Sequence, residues 1–476
     1  MEEKDFKRKL KEIVSKTSDQ EIYSNIIKDF FTKGIEKPSI FIESLKILPK
    51  CKDKQLLDKF KENTKILCQF IENLNDKLDI YKALSCIFGS FYGDAIGGFC
   101  EFRKPSSNNC QKIFNGKPVF GQEQGQVTDD SEMSMCLAYA IMDNPEKEII
   151  DPRYLYFYYG AWTRSNPIDM GKTTRASFKN YDFTTCNPNN DKCKDKFNSI
   201  IKEIEKNNCN SLSNGFLMRK NTFIVWLYFR FFSEINKAFE SITDSQKLLE
   251  LYTKIKSLAH LDNYITNPNP EADSASAFYC IMALGAIKGF SANNIIDKIC
   301  NLCKNQNLQK NKEDKHMTDL ILNSIDKFKT SKLKYDELFG KKDSKDYVGI
   351  HIGWYEHAFK LTLYYLVNYD SFENEKTRFK EILDQICNLG GDTDTNACIV
   401  GGVIGPMIGL KNFGENFDKV LKLNPPNRAL FSISLMVHYI IYLKQSSRNN
   451  QLIKDERVFL KTILTMLYDE IDIDYL

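Results

Sequence analysis

The sequence predicts an all-α protein, and three observations carry that prediction. Apolar residues recur at helical spacing over long stretches, among them "SEMSMCLAYAIM", "NTFIVWLYFRFFSEINKAFESI", "SASAFYCIMALGAIKGF" and "LFSISLMVHYIIYLKQ". Alternating apolar–polar runs bounded by turns, the mark of strands, are scarce. In "IVGGVIGPMIGL", Gly401, Gly405 and Gly409 recur every four residues and leave one helix face bare for close packing. Pro406, inside that run, is expected to bend or interrupt the helix.

Taken in order, residues 1–78 alternate charged and apolar residues at helical spacing, as in "DKQLLDKFKENTKILCQFIENL", and read as a helical N-terminal extension. From Tyr81 the texture changes to "YKALSCIFGSFYGDAIGGFCEF", where small residues interrupt apolar runs, so residues 79–476 are read as the main domain. Segments 186–210 and 304–319 are rich in Lys and Asn and poor in large apolar side chains. They are expected to be solvated loops or frayed helices. "EHAFKLTLYYLVN" and "FKEILDQICN" return to the helical pattern.

A chain of 476 residues with 42% hydrophobic composition can bury a large core, and one large domain plus an extension fits that length. Lys+Arg 66 against Asp+Glu 63 gives a net charge of +3, so neither nucleic-acid nor membrane binding is expected. The N-terminus lacks a secretory h-region, and the apolar run 397–410 falls short of the ~20 residues a bilayer span needs. Cytoplasmic residence is therefore expected, with the nucleus as the alternative, and a monomer is expected. Fourteen cysteines without framework spacing read as free thiols. Cys300 and Cys303 form a C-x-x-C with no second pair, two neighbours on one helix face rather than half a zinc site. Five histidines form no H-x-H or H-E-x-x-H array, so a histidine-ligated metal is not expected.

Two acidic clusters each precede an apolar helix: Thr128, Asp129 and Asp130 in "GQVTDDSEM", and Asp392, Asp394 and Thr395 in "GGDTDTNA". Either alone reads most simply as a helix cap. A cap uses one side-chain oxygen, however, and each cluster supplies more negative charge than that. Hard oxygen ligands of this kind suit Mg²⁺, Mn²⁺ or Ca²⁺. An EF-hand loop is excluded, because counting from Asp392 puts Ala397 where Gly is needed and Val403 where Glu is needed. A D-x-D phosphotransferase nucleophile would require an apolar parallel strand before Asp392, where "FKEILDQICNLGG" looks helical. Gly390 and Gly391 allow a sharp turn and a close approach at the head of the second cluster.

Five stretches in this order resemble the ADP-ribosylglycohydrolase family: "GDAIGGFCEF" (93–102), "GQVTDDSEM" (125–133), "SNPIDMGKTTRASF" (165–178), "SNGFLMR" (213–219) and "GGDTDTNACIVGGVIGPMIG" (390–409). Each is short; the five together are specific and span roughly residues 80–410. The resemblance implies a compact orthogonal helical bundle with two Mg²⁺ ions, or Mn²⁺, in a central cleft. It places Thr128, Asp129, Asp130, Asp392, Asp394 and Thr395 on the metals. Glu101 falls at the position of the family's cleft glutamate and, with Asp130 and Asp392, makes up the implied catalytic set. Asp94 would orient ligands or backbone. Asp169 and Gly171 belong to the cleft wall, Ser211, Ser213, Asn214 and Gly215 to a diphosphate-binding loop. Trp354 is placed to stack on adenine, with a buried core tryptophan as the alternative. Arg219 reads equally as a structural ion-pair residue. One departure is visible: "ITNPNPEADSASA" puts Asn267 where relatives commonly carry a histidine.

The implied activity is hydrolysis of the glycosidic bond between ADP-ribose and a modified protein side chain or small acceptor. An ADP-ribosylated protein or ADP-ribose conjugate would be the substrate. The alternative is a non-catalytic ADP-ribose-binding or structural protein on the same fold.

Overall fold

The computed structural model describes residues 79–414, apart from Glu123 and the short stretches 145–147, 165–166, 183–184, 189–190 and 241–244, together with Phe417, Tyr439, Ile440 and Leu443. The predicted extension 1–78 and most of the predicted helix at 430–445 lie outside the described residues. The described residues are helical and contain no strand; a single isolated bridge joins Ser213 to Trp354.

In chain order the helices are α1 (Asp79–Gly97), α2 (Asp129–Asp143), α3 (Pro152–Thr163), α4 (Lys172–Ser177), α5 (Asp191–Asn208), α6 (Lys220–Arg230), α7 (Phe232–Glu240), α8 (Ser245–Asn263), α9 (Pro270–Ile287), α10 (Ala292–Cys303), α11 (Lys312–Thr330), α12 (Tyr335–Phe339), α13 (Tyr355–Val367), α14 (Glu375–Leu389) and α15 (Thr393–Ile408). Several starts are written into the sequence. Asp151 caps α3 before Pro152, Asn269 caps α9 before Pro270, and Ser291, Asn311 and Asn374 accept from the first-turn amides of α10, α11 and α14.

α15 lies at the centre, packed on α1, α9, α13 and α14. It is buried on nearly every face, as is α9, which is why neither shows a clean amphipathic stripe. The α1–α15 pair meets backbone to backbone. A Cβ on Gly401 would lie 2.2 Å from the Gly89 carbonyl oxygen, and one on Gly93 would lie 2.2 Å from that of Ala397. The matching stripe Gly89, Gly93 and Gly97 on α1 was not anticipated from sequence. Gly409 does not continue the α15 stripe: it ends the helix with φ +77°. The helix runs on past Pro406 to Ile408, because the proline sits in its last turn.

The two segments expected to be solvated loops or frayed helices are helical over much of their length, with turns at 304–311. Residues 191–208 form α5, with Ile200, Ile201 and Ile204 buried on one face. Asp314 and Met317 in α11 are buried, and Asp314 accepts from Tyr252, Lys256 and Ser274. Sparse but correctly spaced apolar residues decided these cases over the average composition. Cys300 and Cys303 share α10, and the cysteines of the described residues are free thiols. No helix among the described residues is long and apolar enough to cross a membrane.

Candidate active site

The two acidic clusters meet in space although the contacting residues, Asp130 and Thr395, are 265 positions apart in sequence. The Thr395 hydroxyl at the start of α15 lies 3.3 Å from Asp130 Oδ2 at the start of α2. α1 supplies the hinge between them. Its Gly97 carbonyl accepts from the Thr393 hydroxyl at 2.6 Å, while its Asp94 carboxylate faces the N-terminus of α2.

Asp94 answers the capping question. It accepts from the amides of Thr128 (3.0 Å) and Ser131 (3.1 Å) and from the hydroxyls of Thr128 (2.8 Å) and Ser131 (2.6 Å). A carboxylate from another helix therefore caps α2, and neither Asp129 nor Asp130 is spent on that task. Burial drives the Asp94 carboxyl up to about 6 against the pull of these four donors. Asp392 stands at the N-cap position of α15 without capping it, and its Oδ2 accepts from Asn214 at 2.6 Å.

Asp394 is the pivot of the cluster. Its carboxylate lies within 4.8 Å of those of Asp94 and Asp130 in one triad, and within 4.8 Å of those of Glu101 and Asp169 in a second. Burial, then Glu101, Asp392, Asp130 and Asp94, holds the Asp394 carboxyl well above the ordinary range. Asp129 and Asp130 are raised in the same way, first by burial and then by neighbouring carboxylates. Asp169 is raised chiefly by burial. Asp130 Oδ1 and Glu101 Oε2 are buried and have no hydrogen-bond partner among the described residues. A buried, crowded, incompletely satisfied set of hard oxygens is the donor set a divalent cation relieves.

Glu101 is 2% exposed, and burial, with Asp392 and Asp169 next, pushes its carboxyl up to about 9. Its loop is held by two backbone bonds: Phe102 N–H donates to Gly391 O (2.7 Å) and Gly391 N–H to Arg103 O (3.1 Å). Gly390 has φ +66°, and a Cβ there would sit 2.1 Å from Arg103 O, so only glycine admits this approach. The glycines before Asp392 thus seat the Glu101 loop against α15.

The wall opposite is made by the 211–215 loop. The Thr173, Ser211 and Ser213 hydroxyls cluster, with Thr173 to Ser211 at 2.9 Å. Asn267, 1% exposed, reaches Ser211 and Ser213 through one side-chain amide, closest to the Ser213 hydroxyl at 3.1 Å. The departure at this position is therefore a buried clamp on the loop. Asn214 donates its backbone N–H to Gly353 O (2.7 Å) and its side chain to Asp392, so it ties the loop to α15. The Gly215 carbonyl accepts from Arg219. Arg219 is a structural ion-pair residue: it is fully buried and binds both oxygens of Asp262 at 3.1 Å, alongside Lys220 and Tyr159. Gly171 donates to Asp129 at 3.3 Å, and Asp169 accepts from Met170. Trp354 is half-buried, in edge contact with His357 and beneath Lys360, and pairs through its backbone with Ser213.

Sequence reasoning missed Ser131, which secures Asp94, and Gly353. Gly353 has φ +87°, and a Cβ on it would lie 3.4 Å from Asp392 Oδ2. Its signal was the Gly-Trp step, where attention went to the aromatic ring. The strand that a phosphotransferase nucleophile would need is absent, since α14 precedes Asp392.

The profile of the ADP-ribosylglycohydrolase family matches residues 75–424, most of the chain. The chain belongs to the ADP-ribosylglycohydrolase family. It is 27% identical over 349 residues to the candidate ADP-ribosyl glycohydrolase L543 of Acanthamoeba polyphaga mimivirus, covering 70% of this chain and 88% of that protein. It is 29% identical over 104 residues to the ADP-ribosyl-[dinitrogen reductase] glycohydrolase of Rhodospirillum rubrum, covering 21% and 34% respectively. A solved structure of an ADP-ribosylglycohydrolase-related protein complex aligns with a TM-score of 0.48 at 16% identity, covering 77% of this chain and 99% of that one. The family hydrolyses linkages to ADP-ribose, and the five stretches read from the sequence all fall within the matched region.

Proposed function

We propose that this protein is a divalent-cation-dependent hydrolase that releases ADP-ribose from a modified protein side chain or a small acceptor. The observation that carries the reading is the convergence of Asp94, Asp130, Asp394, Glu101 and Asp169 into two triads sharing Asp394. Two Mg²⁺ ions, with Mn²⁺ as the alternative, would be held by Thr128, Asp129, Asp130, Asp392, Asp394 and Thr395. Bound there, they would supply Lewis-acid polarisation of ribose hydroxyls and a more acidic water.

The chain's own residues set up the rest. Cleavage at the anomeric carbon develops positive charge on the ribose, and the surrounding carboxylates stabilise it. Glu101 is buried against Asp392 and Asp169 and presents an Oε2 without a hydrogen-bond partner among the described residues, which suits it to act on the leaving group or to orient the attacking water. The Thr173, Ser211 and Ser213 hydroxyls, braced by Asn267, offer donors to the diphosphate, and half-buried Trp354 would stack on the base. Burial of Glu101, Asp130 and Asp394 limits the access of bulk water to the reacting bond. The same reading makes the enzyme a monomer resident in the cytoplasm or nucleus.

The test is release of ADP-ribose from singly modified arginine and serine peptides, with and without Mg²⁺ or Mn²⁺. Turnover is expected only with metal, and Asp130→Asn, Asp394→Asn and Glu101→Gln should each lower it by ~10²-fold or more. Undiminished turnover in Asp394→Asn would dispose of the reading. Tight ADP-ribose binding with no turnover on any substrate would establish the non-catalytic alternative.

A further inference from the structure

A second set of metal-type donors lies outside the carboxylate cleft. Glu271 sits in the first turn of α9, His316 in α11 and Glu356 in the first turn of α13, and one ligand atom of each lies within 4.8 Å of the others. His316 Nε2 is 3.4 Å from Glu356 Oε1 and 3.5 Å from Glu271 Oε1. These spacings are long for a charge-assisted hydrogen bond, which closes to ~2.7–2.9 Å. They match the edge of a coordination tetrahedron: two ligands at about 2.1 Å from a zinc ion, at the tetrahedral angle, stand about 3.4 Å apart.

The surroundings fit such a site. Lys360 takes the other oxygen of Glu356 at 2.9 Å and leaves Oε1 turned to His316. The Tyr355 hydroxyl donates to Glu271 Oε1 at 2.7 Å and fixes the direction of that carboxylate. Charge points the same way. Of the nearby acids, Glu356 pairs with Lys360, and Asp346 with Lys327 and Lys360. The cationic partner of Glu271 among the described residues is His316 alone. Glu356 is 6% and Glu271 19% exposed, while His316 at 46% leaves the fourth direction open to water.

We propose that Glu271, His316 and Glu356 form a mononuclear site for a divalent transition cation, Zn²⁺ by its donor set and spacing, separate from the carboxylate cleft. The ion joins three helices at the foot of the wall that carries Trp354. One imidazole with two carboxylates selects Zn²⁺ or Co²⁺ over Mg²⁺, which prefers an all-oxygen octahedral shell.

The test uses the full chain, stripped with chelator and then given Zn²⁺ or Co²⁺ alone. It is run on the wild type and on an Asp130→Asn/Asp394→Asn background in which the cleft no longer competes. One equivalent of Co²⁺ should give the visible absorption of a low-coordinate cobalt site in the Asp130→Asn/Asp394→Asn protein, and excess Co²⁺ should give it in the wild type. Saturating Zn²⁺ should raise Tm by roughly 3–5 °C. His316→Ala and Glu271→Gln, added to the same background, should lose both signals, while His316→Ala alone keeps its Mg²⁺-supported activity. Signals that survive His316→Ala would overturn the proposal. So would their absence from the starting protein, which would leave His316 as an ion-pair bridge only. Neither outcome touches the proposed hydrolase, whose turnover is read separately with Mg²⁺.

Discussion

Gly97 is the point where the packing of α1 on α15 becomes the geometry of the site, and Gly97→Ala tests that link. A Cβ at this position would stand 2.4 Å from Asp394 Cα, 2.4 Å from Thr393 O and 2.5 Å from Asp394 N. All three are backbone atoms, so no side chain can swing away. Real Cβ contacts do not fall below about 3.0 Å, so the helices must part by about 0.6 Å at the least. Restoring an ordinary contact of about 3.4 Å takes about 1.0 Å. Overpacking of this kind costs about 1–3 kcal/mol. The functional penalty should be larger, because the displaced residue is the pivot of both carboxylate triads. A misplacement of about 1 Å in a catalytic constellation can lower turnover by about 10²-fold. The assay pairs thermal melting with ADP-ribose release. Gly215→Ala serves as the stability control, since its Cβ would meet only Ser213 Oγ, at 3.9 Å. Gly97→Ala with wild-type Tm and wild-type turnover would refute the claim that α1 positions Asp394 by backbone contact.

Three further outcomes follow from the same structure. Asn267→Ala removes the amide shared by Ser211 and Ser213 and should cost about 1–3 kcal/mol in urea unfolding, with KM rising more than kcat falls. Asp262→Asn strips the buried Arg219 and Lys220 of their counter-charge and should cost about 3–5 kcal/mol. Against its burial, Arg219 and Lys220 hold the Asp262 carboxyl below the ordinary 3.8, so its contribution is present above that value and should be lost as pH falls through the folded one. The metal-free protein should show the opposite slope. Asp94 and Glu101 are raised from 3.8 to about 6 and from 4.5 to about 9, so their folded state is favoured most below pH 4 and loses ground as pH climbs to 9. Chelated protein that melts alike at pH 5 and pH 8, and is not protected more by Mg²⁺ at the higher pH, would contradict this.

Much of the site was legible because its chemistry is local in sequence. Each acidic cluster carries more charge than a cap can use, and the Gly-Gly step announces a close approach before Asp392. Their meeting was legible only through the family resemblance, since no local pattern states that residues 130 and 395 touch. What stayed hidden depends on partners distant along the chain. The role of Asp94 as a cap for another helix is invisible until Thr128 and Ser131 are folded over it. The α1 glycine stripe looked like interrupted apolar texture, because a stripe acquires meaning only from the one that faces it. Asn267 read as a departure, whereas burial makes it a clamp. His316 was discounted for lacking a neighbouring ligand in sequence, and its two carboxylate neighbours lie 45 and 40 positions away.

The exchange of hydrogen bonds between the Phe102–Arg103 turn and Gly391 stitches the Glu101 loop and the head of α15 into one seam of main chain. Ile350 and Ile352 stand about half exposed beside Gly353, whose carbonyl accepts from the Asn214 amide, so their side chains can be exchanged without disturbing that seam.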